Sequence, residues 1–314
     1  MRITLSGAVR AVVVAVPAFF GGPAAAQGGG VTAIVPFEAS AFPYRGAIPD
    51  QGVPFLDFQV DGRPGHTSPR GGRYFEDATY SSRDVLISVP KGIDWARPVT
   101  LVVYFHGNEA RLGRDVRDRQ RVPAQVAASG LNAVLVAPQM AVDALDSSAG
   151  NFWTAGFFAR FVEEAGRRTT ELAGDGRAAA ALARAPIVIV AYSGGYLPTA
   201  FSLERGGAGE RVRGVILLDG LYAEEKRIAD WIGRRGRAFF FSAHSPSTRA
   251  PNEALRRLLV ERGVPVTSGL PETFAPGAVA FTATSASVAH DDFVTRAWVP
   301  DPLRTVLSRL REPR

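Results

Sequence analysis

With 314 residues, 46% of them hydrophobic, the chain can bury one large core, and its regular succession of apolar runs gives no sign of two. The absence of cysteine excludes disulfides and thiolate metal sites. Nearly all of the net charge of +6 is carried by arginine, Lys91 and Lys226 being the only lysines, and no cluster forms the basic stripe of a nucleic-acid binder, so no nucleic-acid partner is expected.

In chain order, Arg2 and Arg10 precede an apolar run over 11–20, which is followed by small residues up to Ala26. This reads as a secretory signal peptide over 1–26. Its apolar core of about ten residues falls short of the roughly 20 that span a bilayer. An exported protein, periplasmic or secreted, without a stable membrane anchor is therefore expected, a retained anchor being the lesser alternative. Without Arg2 and Arg10, 34 basic residues face 30 acidic ones. Residues 27–36 open with Gln27 and three glycines and read as a flexible Gly-rich linker, which leaves 37–314 as a single domain.

Residues 37–97 are rich in glycine, proline and aromatics, with one clear strand over 84–89, and are expected to supply antiparallel edge strands. Buried strands follow over 98–105 and 132–138, the end of a short helix over 124–129 lying between them. Helical spacing of Phe158, Phe161, Val162 and Ala165 predicts a helix over 157–173, with a short alanine-rich helix after a Gly-Asp-Gly break. Next come a strand over 186–190, a helix over 196–204, a strand over 214–218, a helix over 223–233, a strand over 237–242, a helix over 251–262 and a strand over 279–284. The last stretch, 293–311, reads as a helix interrupted by Pro300 and Pro302. Strands alternating with helices predict an α/β fold, a mostly parallel central sheet with helices on both faces. Ligand-binding loops of such a sheet lie at the carboxyl ends of its strands, where His106, Pro138, Ser193, Asp219, His244 and His290 all fall.

The segment Ile187-Val-Ile-Val-Ala-Tyr-Ser-Gly-Gly-Tyr196 is a β-branched run ending in Ser193, with small residues around it that permit a cramped strand-to-helix turn. Such a turn lifts the serine hydroxyl out of the backbone; the plainer reading is a tight turn and nothing more. With this segment, Thr100-Leu-Val-Val-Tyr-Phe-His-Gly-Asn108 and Ala289-His-Asp-Asp-Phe293, the chain resembles the α/β-hydrolase superfamily. The three segments occur in that family's order, and the likeness covers most of the chain after about residue 99. One departure is Ala191 in the first glycine position of G-x-S-x-G.

The resemblance implies a Ser-His-Asp triad of Ser193 as nucleophile, His290 as base and Asp219 as acid, and an oxyanion hole formed by the backbone N–H groups of Gly194 and Asn108. Asp219 is the less usual choice, since most of the superfamily carries the acid after the next strand; here that stretch, 243–251, holds no Asp or Glu. Glu224 and Glu253 stand as substitute acids, and Asp219 read alone is also a helix N-cap. His244 is the alternative base or a substrate contact. His106 and Gly107 belong to the oxyanion loop, His106 with a structural role. These two, with Trp153, Tyr192 and His244, are candidate substrate-lining residues. Phe152 and Trp153 read equally as core, and Tyr192 and Tyr196 as packing. His66, in a Gly/Pro-rich loop, is expected to be solvated.

The interval between Asp219 and the strand at 237 holds one helix and no large cap domain, so the site is expected to be open or roofed by the loop over 140–157. No metal-ligand spacing and no phosphate-binding loop is present, so no cofactor and no metal is implied. The implied activity is that of an exported serine hydrolase, a carboxylesterase acting on a small or polymeric ester. The alternatives are an amidase, peptidase or acyltransferase with the same triad, and a catalytically silent binding protein of the same fold.

Overall fold

The computed structural model describes residues 30–310. The expected signal peptide and residues 27–29 of the expected linker lie outside them. The strands are β1 (Val31–Pro36), β2 (Phe58–Val60), β3 (Arg63–Thr67), β4 (Arg73–Phe75), β5 (Asp84–Val89), β6 (Thr100–Phe105), β7 (Ala133–Pro138), β8 (Ile187–Tyr192), β9 (Val212–Leu218), β10 (Phe239–His244), β11 (Thr267–Ser268) and β12 (Val279–Ala283). The α-helices are α1 (Glu76–Thr79), α2 (Val122–Ala127), α3 (Phe157–Ala173), α4 (Arg177–Ala183), α5 (Tyr196–Arg205), α6 (Glu225–Arg234), α7 (Arg249–Glu261) and α8 (Pro302–Leu307).

Nine strands form one sheet in the order β1-β5-β7-β6-β8-β9-β10-β12-β11. Only the pairs β1·β5 and β5·β7 are antiparallel. From β7 to β11 the strands run parallel, as crossover helices require. β6, β7, β8 and β10 are buried along their whole length, the signature of a sheet covered on both faces. Successive side chains alternate between those faces. Leu101, Val103, Ile187 and Ile189 pack with Phe158 and Phe161 of α3, Leu182 of α4, Phe201 of α5 and Leu255 of α7. Val102, Tyr104, Val188 and Val190 face Val122 and Val126 of α2 and Leu303, Val306 and Leu307 of α8. Each large apolar side chain removed from water in these layers contributes about 1.5–3 kcal/mol.

Two expectations need correction. Val31–Pro36 is not linker but a strand, in register with β5 from Val31↔Val89 to Pro36↔Asp84. Glycine dominates only up to residue 30, and the β-branched alternation beyond it carries an edge strand. The 293–311 stretch is not one helix: a 3-10 turn (His290–Val294) is separated from the short α8, whose proline at the first turn starts the helix and cannot continue an earlier one. Between β6 and α2, Leu112–Arg119 forms a wide helical turn in which the Gln120 N–H donates to the carbonyl of Asp115, five residues back, at 2.7 Å. The segment between β1 and β5 adds a separate antiparallel sheet, β2-β3-β4. A single helix, α6, occupies the interval between β9 and β10.

Candidate active site

β6, β8, β9 and β10 end at Phe105, Tyr192, Leu218 and His244, and their carboxyl-terminal loops open on one sheet edge. Ser193 is the first residue after β8 and starts a single 3-10 turn, Ser193–Gly195, that runs into α5. Its φ of +51° is left-handed, a conformation that costs a non-glycine residue about 1–3 kcal/mol. Glycines let the neighbouring chain close around it. A Cβ on Gly195 would come within 2.3 Å of the Phe105 carbonyl oxygen, one on Gly107 within 2.8 Å of Ser193 Cβ, and one on Gly194 within 2.1 Å of Asn108 Oδ1. The loop after β6 thus lies directly against the serine turn. Gly194 stands in the first turn of helical structure, where amide N–H groups have no partner within the turn.

The Ser193 hydroxyl is 2.8 Å from Nε2 of His290, and Nδ1 of the same ring is 2.7 Å from Oδ2 of Asp219. Facing a carboxylate, Nδ1 carries the proton and donates; Nε2 is left to accept from the serine. Asp219, also left-handed at φ +46°, is fully buried. Burial alone would push its carboxyl up. Hydrogen bonds from His290, from the Thr248 hydroxyl and from the Ser245 N–H at 2.9 Å outweigh this and hold it below the usual carboxylate range. The chain has the α/β-hydrolase fold. The tight serine turn after β8, the loop after β6 packed against it, and the placing of Ser193 after β8, Asp219 after β9 and His290 after β12 match the arrangement of that fold.

Within this fold the loop after β10, which contains no acid, holds Asp219 through Ser245 and Thr248 instead. Glu224 is engaged by Arg227, and Glu253 lines a separate cavity with His244, Arg249 and Arg256. The Ser193 hydroxyl bonds to His290 and not to His244. His244 is buried, burial pulls its pKa below the ordinary value, and its Nδ1 is 3.3 Å from the Ser245 carbonyl oxygen.

Three further candidate lining residues are buried and partnered. His106 is buried, with Nδ1 donating to the Gly107 carbonyl at 2.7 Å and Nε2 accepting from the Met140 N–H at 2.9 Å. Burial pushes its pKa down to about 4, so the ring is neutral. Trp153 is core and not a roof: its indole packs edge-on against Tyr44 and Phe55. Tyr192 is buried beside the candidate base. Its ring stacks on His290 with centroids 4.9 Å apart, and its hydroxyl donates to Asp291 Oδ1 at 3.1 Å. His66 is not solvated either. It is buried, stacked on Phe55 at 4.2 Å, with Nδ1 donating to the Phe55 carbonyl at 2.6 Å.

Of the loop over 140–157, Ser147 reaches the site, its hydroxyl donating to Asn108 Oδ1 at 3.1 Å. Tyr222 is a neighbour that sequence reasoning missed. Its ring meets that of His290 edge-on at 6.4 Å and that of Tyr196 at 5.8 Å, and its hydroxyl reaches the Ser193 side chain. Its only sequence signal is its place three residues after Asp219, at the end of β9. Among the described residues no cluster of His, Asp and Glu could hold a metal ion, and no helix is long and apolar enough to cross a membrane.

No protein-family model and no curated protein matches the chain. Among solved structures it is similar to a mutant of the feruloyl esterase module from Clostridium thermocellum complexed with sinapinate, at 14% identity over 88% of this chain and 97% of that one, with a TM-score of 0.44. It is similar to an S-formylglutathione hydrolase from Agrobacterium tumefaciens, at 13% identity over 76% and 92%, with a TM-score of 0.41. An IroE-like serine hydrolase from Shewanella oneidensis aligns at 14% identity over 68% and 72%, with a TM-score of 0.43.

Proposed function

We propose that the chain is a serine hydrolase that cleaves a carboxylic ester through an acyl-enzyme. The observation that carries this reading is the hydrogen-bonded chain from Ser193 Oγ through both nitrogens of His290 to Asp219, with the serine on a left-handed turn. In the reaction, Ser193 Oγ attacks the ester carbonyl carbon as His290 Nε2 takes the hydroxyl proton. The carbon–oxygen bond to the leaving alcohol breaks, and His290 returns that proton to the alcohol. Water, deprotonated by the same nitrogen, then releases the acid. Asp219 stays ionised and stabilises the imidazolium formed at each step. The N–H groups of Gly194 and Asn108 are assigned to the developing oxyanion; one such donor is worth about 10²- to 10³-fold in rate. Residues 1–26 are assigned to export, and N-terminal sequencing of the protein recovered outside the cytoplasm tests that assignment by its start at residue 27.

The deciding experiment is hydrolysis of p-nitrophenyl esters from acetate to palmitate by residues 27–314, beside Ser193→Ala. Turnover that disappears in Ser193→Ala is the expected result, and its chain-length profile reads out the acyl pocket. A folded protein that turns over no ester and leaves a fluorophosphonate probe unreacted would instead be a silent binding protein.

A further inference from the structure

The turn between β3 and β4 reaches the site by a route that neither the triad nor the oxyanion loops use. It carries Arg70, whose guanidinium carbon lies 5.4 Å from the centroid of the Tyr222 ring. That ring in turn flanks both Ser193 and His290. The turn is pinned in place. The Ser68 hydroxyl donates to the Leu145 carbonyl at 2.6 Å, the Ser68 N–H to the Gly72 carbonyl at 3.0 Å, and the Arg70 N–H to Ser68 Oγ at 3.2 Å. The Leu145 N–H donates back to the Tyr74 hydroxyl at 3.2 Å.

Many of the described arginines are matched with acids, and many others are not. Near the site, Arg119 pairs with Asp115 and Asp291, and Arg227 with Glu204, Glu224 and Asp50. Among the described residues Arg70 has no carboxylate within ion-pair distance, and its guanidinium lies against the Tyr222 ring, which adjoins Tyr196. An exposed cation–π contact with Tyr222 is worth about 0.5–1 kcal/mol and leaves the donors of the guanidinium fork unused.

We infer that Arg70, with Tyr196 and Tyr222, forms an anion-recognition subsite beside Ser193, so that the preferred substrate is an ester carrying a carboxylate a short distance from its scissile carbonyl. The inference deepens the hydrolase reading and rests on it for the chemistry. Arg70 is a specificity residue: it meets the substrate's charge and not the reacting atoms. A charge-assisted hydrogen bond of this kind is worth about 10- to 100-fold in kcat/KM.

The test compares methyl half-esters of glutarate and adipate with neutral methyl esters of matching chain length, and 3-acetoxybenzoate with phenyl acetate, so that acyl-side and leaving-side anions are separated. Each pair is run with wild type, Arg70→Gln and Arg70→Lys, and 3-acetoxybenzoate and monomethyl adipate are titrated calorimetrically into Ser193→Ala with and without Arg70→Gln. The expected result is an anionic-to-neutral ratio of kcat/KM that falls about 10- to 100-fold in Arg70→Gln for one of the two anion positions and is partly restored by lysine. Ser193-dependent turnover with a ratio indifferent to Arg70 overturns the inference and leaves the hydrolase standing. No turnover, but Arg70-dependent binding to Ser193→Ala, removes the hydrolase and keeps the anion subsite. Absence of both removes both.

Discussion

Asp219 is a charge with no exposed surface, and three donors from two other segments keep it ionised. Replacement by asparagine preserves an acceptor for Thr248 and Ser245 but presents no anion to His290 Nδ1, so the imidazole loses its orienting partner. Asp219→Asn is expected to lower kcat on a p-nitrophenyl ester about 10⁴-fold with an unchanged circular dichroism spectrum; near-normal turnover would move the acid elsewhere. The strand pattern places Ser193, Asp219 and His290 at one sheet edge with three other candidates, and the resemblance to the α/β-hydrolase superfamily singles them out from those. Ser245, Thr248, Tyr222 and Arg70 could not be picked out, because they stand in loops whose side-chain directions depend on tertiary packing. His66 was misjudged for a related reason: glycine and proline around it suggest a solvated loop, yet an aromatic cluster closes over it.

At the level of elements, the parallel core was legible because buried strands show as unbroken apolar runs and α3 repeats its aromatics at helical spacing. The antiparallel sheet β2-β3-β4 was not, since its strands are only three to five residues long, mix exposed, half-buried and buried positions and carry no period. Nor was the wide turn over 112–119 visible, where buried Asp115 gathers hydrogen bonds from Arg111, Arg114 and Arg119. The loop containing Trp153 looked suited to a roof, but its 3-10 turn (Gly150–Trp153) sends both aromatics inward, Trp153 and a completely buried Phe152. Trp153→Ala is therefore expected to act on the fold, lowering unfolding free energy by about 3–5 kcal/mol in urea titration. The fraction that remains folded should still react with a fluorophosphonate. Unchanged stability with altered substrate preference would return Trp153 to the substrate.

For the molecule as a whole, stability follows from groups whose charge differs between folded and unfolded chains. His106 is neutral when folded, with a pKa of about 4 against 6.5 in the free side chain. Its contribution is complete above pH 6.5 and is lost as pH falls from 6.5 towards 4, because only the unfolded chain takes up the proton. Between pH 7 and 4.5 this amounts to on the order of 2 kcal/mol. Asp219, held low when folded, adds a further loss only below about pH 4, where its unfolded counterpart protonates. Urea midpoints should decline already between pH 6.5 and 4.5, with an unchanged denaturant dependence. A flat profile across that window would mean that His106 is protonated in the folded chain.

The carboxylate after β9 and its donors after β10 belong to different segments of the chain, 26 and 29 residues apart. This division constrains how the protein can be recombined with others of its fold. A loop transplanted after β10 from a relative that carries its own acid there would bring a second anion against an imidazole that already has one. It would also remove the hydroxyl and amide that keep the first anion ionised. One of the two acids would then take up a proton at neutral pH. Chimeras that exchange this loop therefore have to exchange the end of β9 with it.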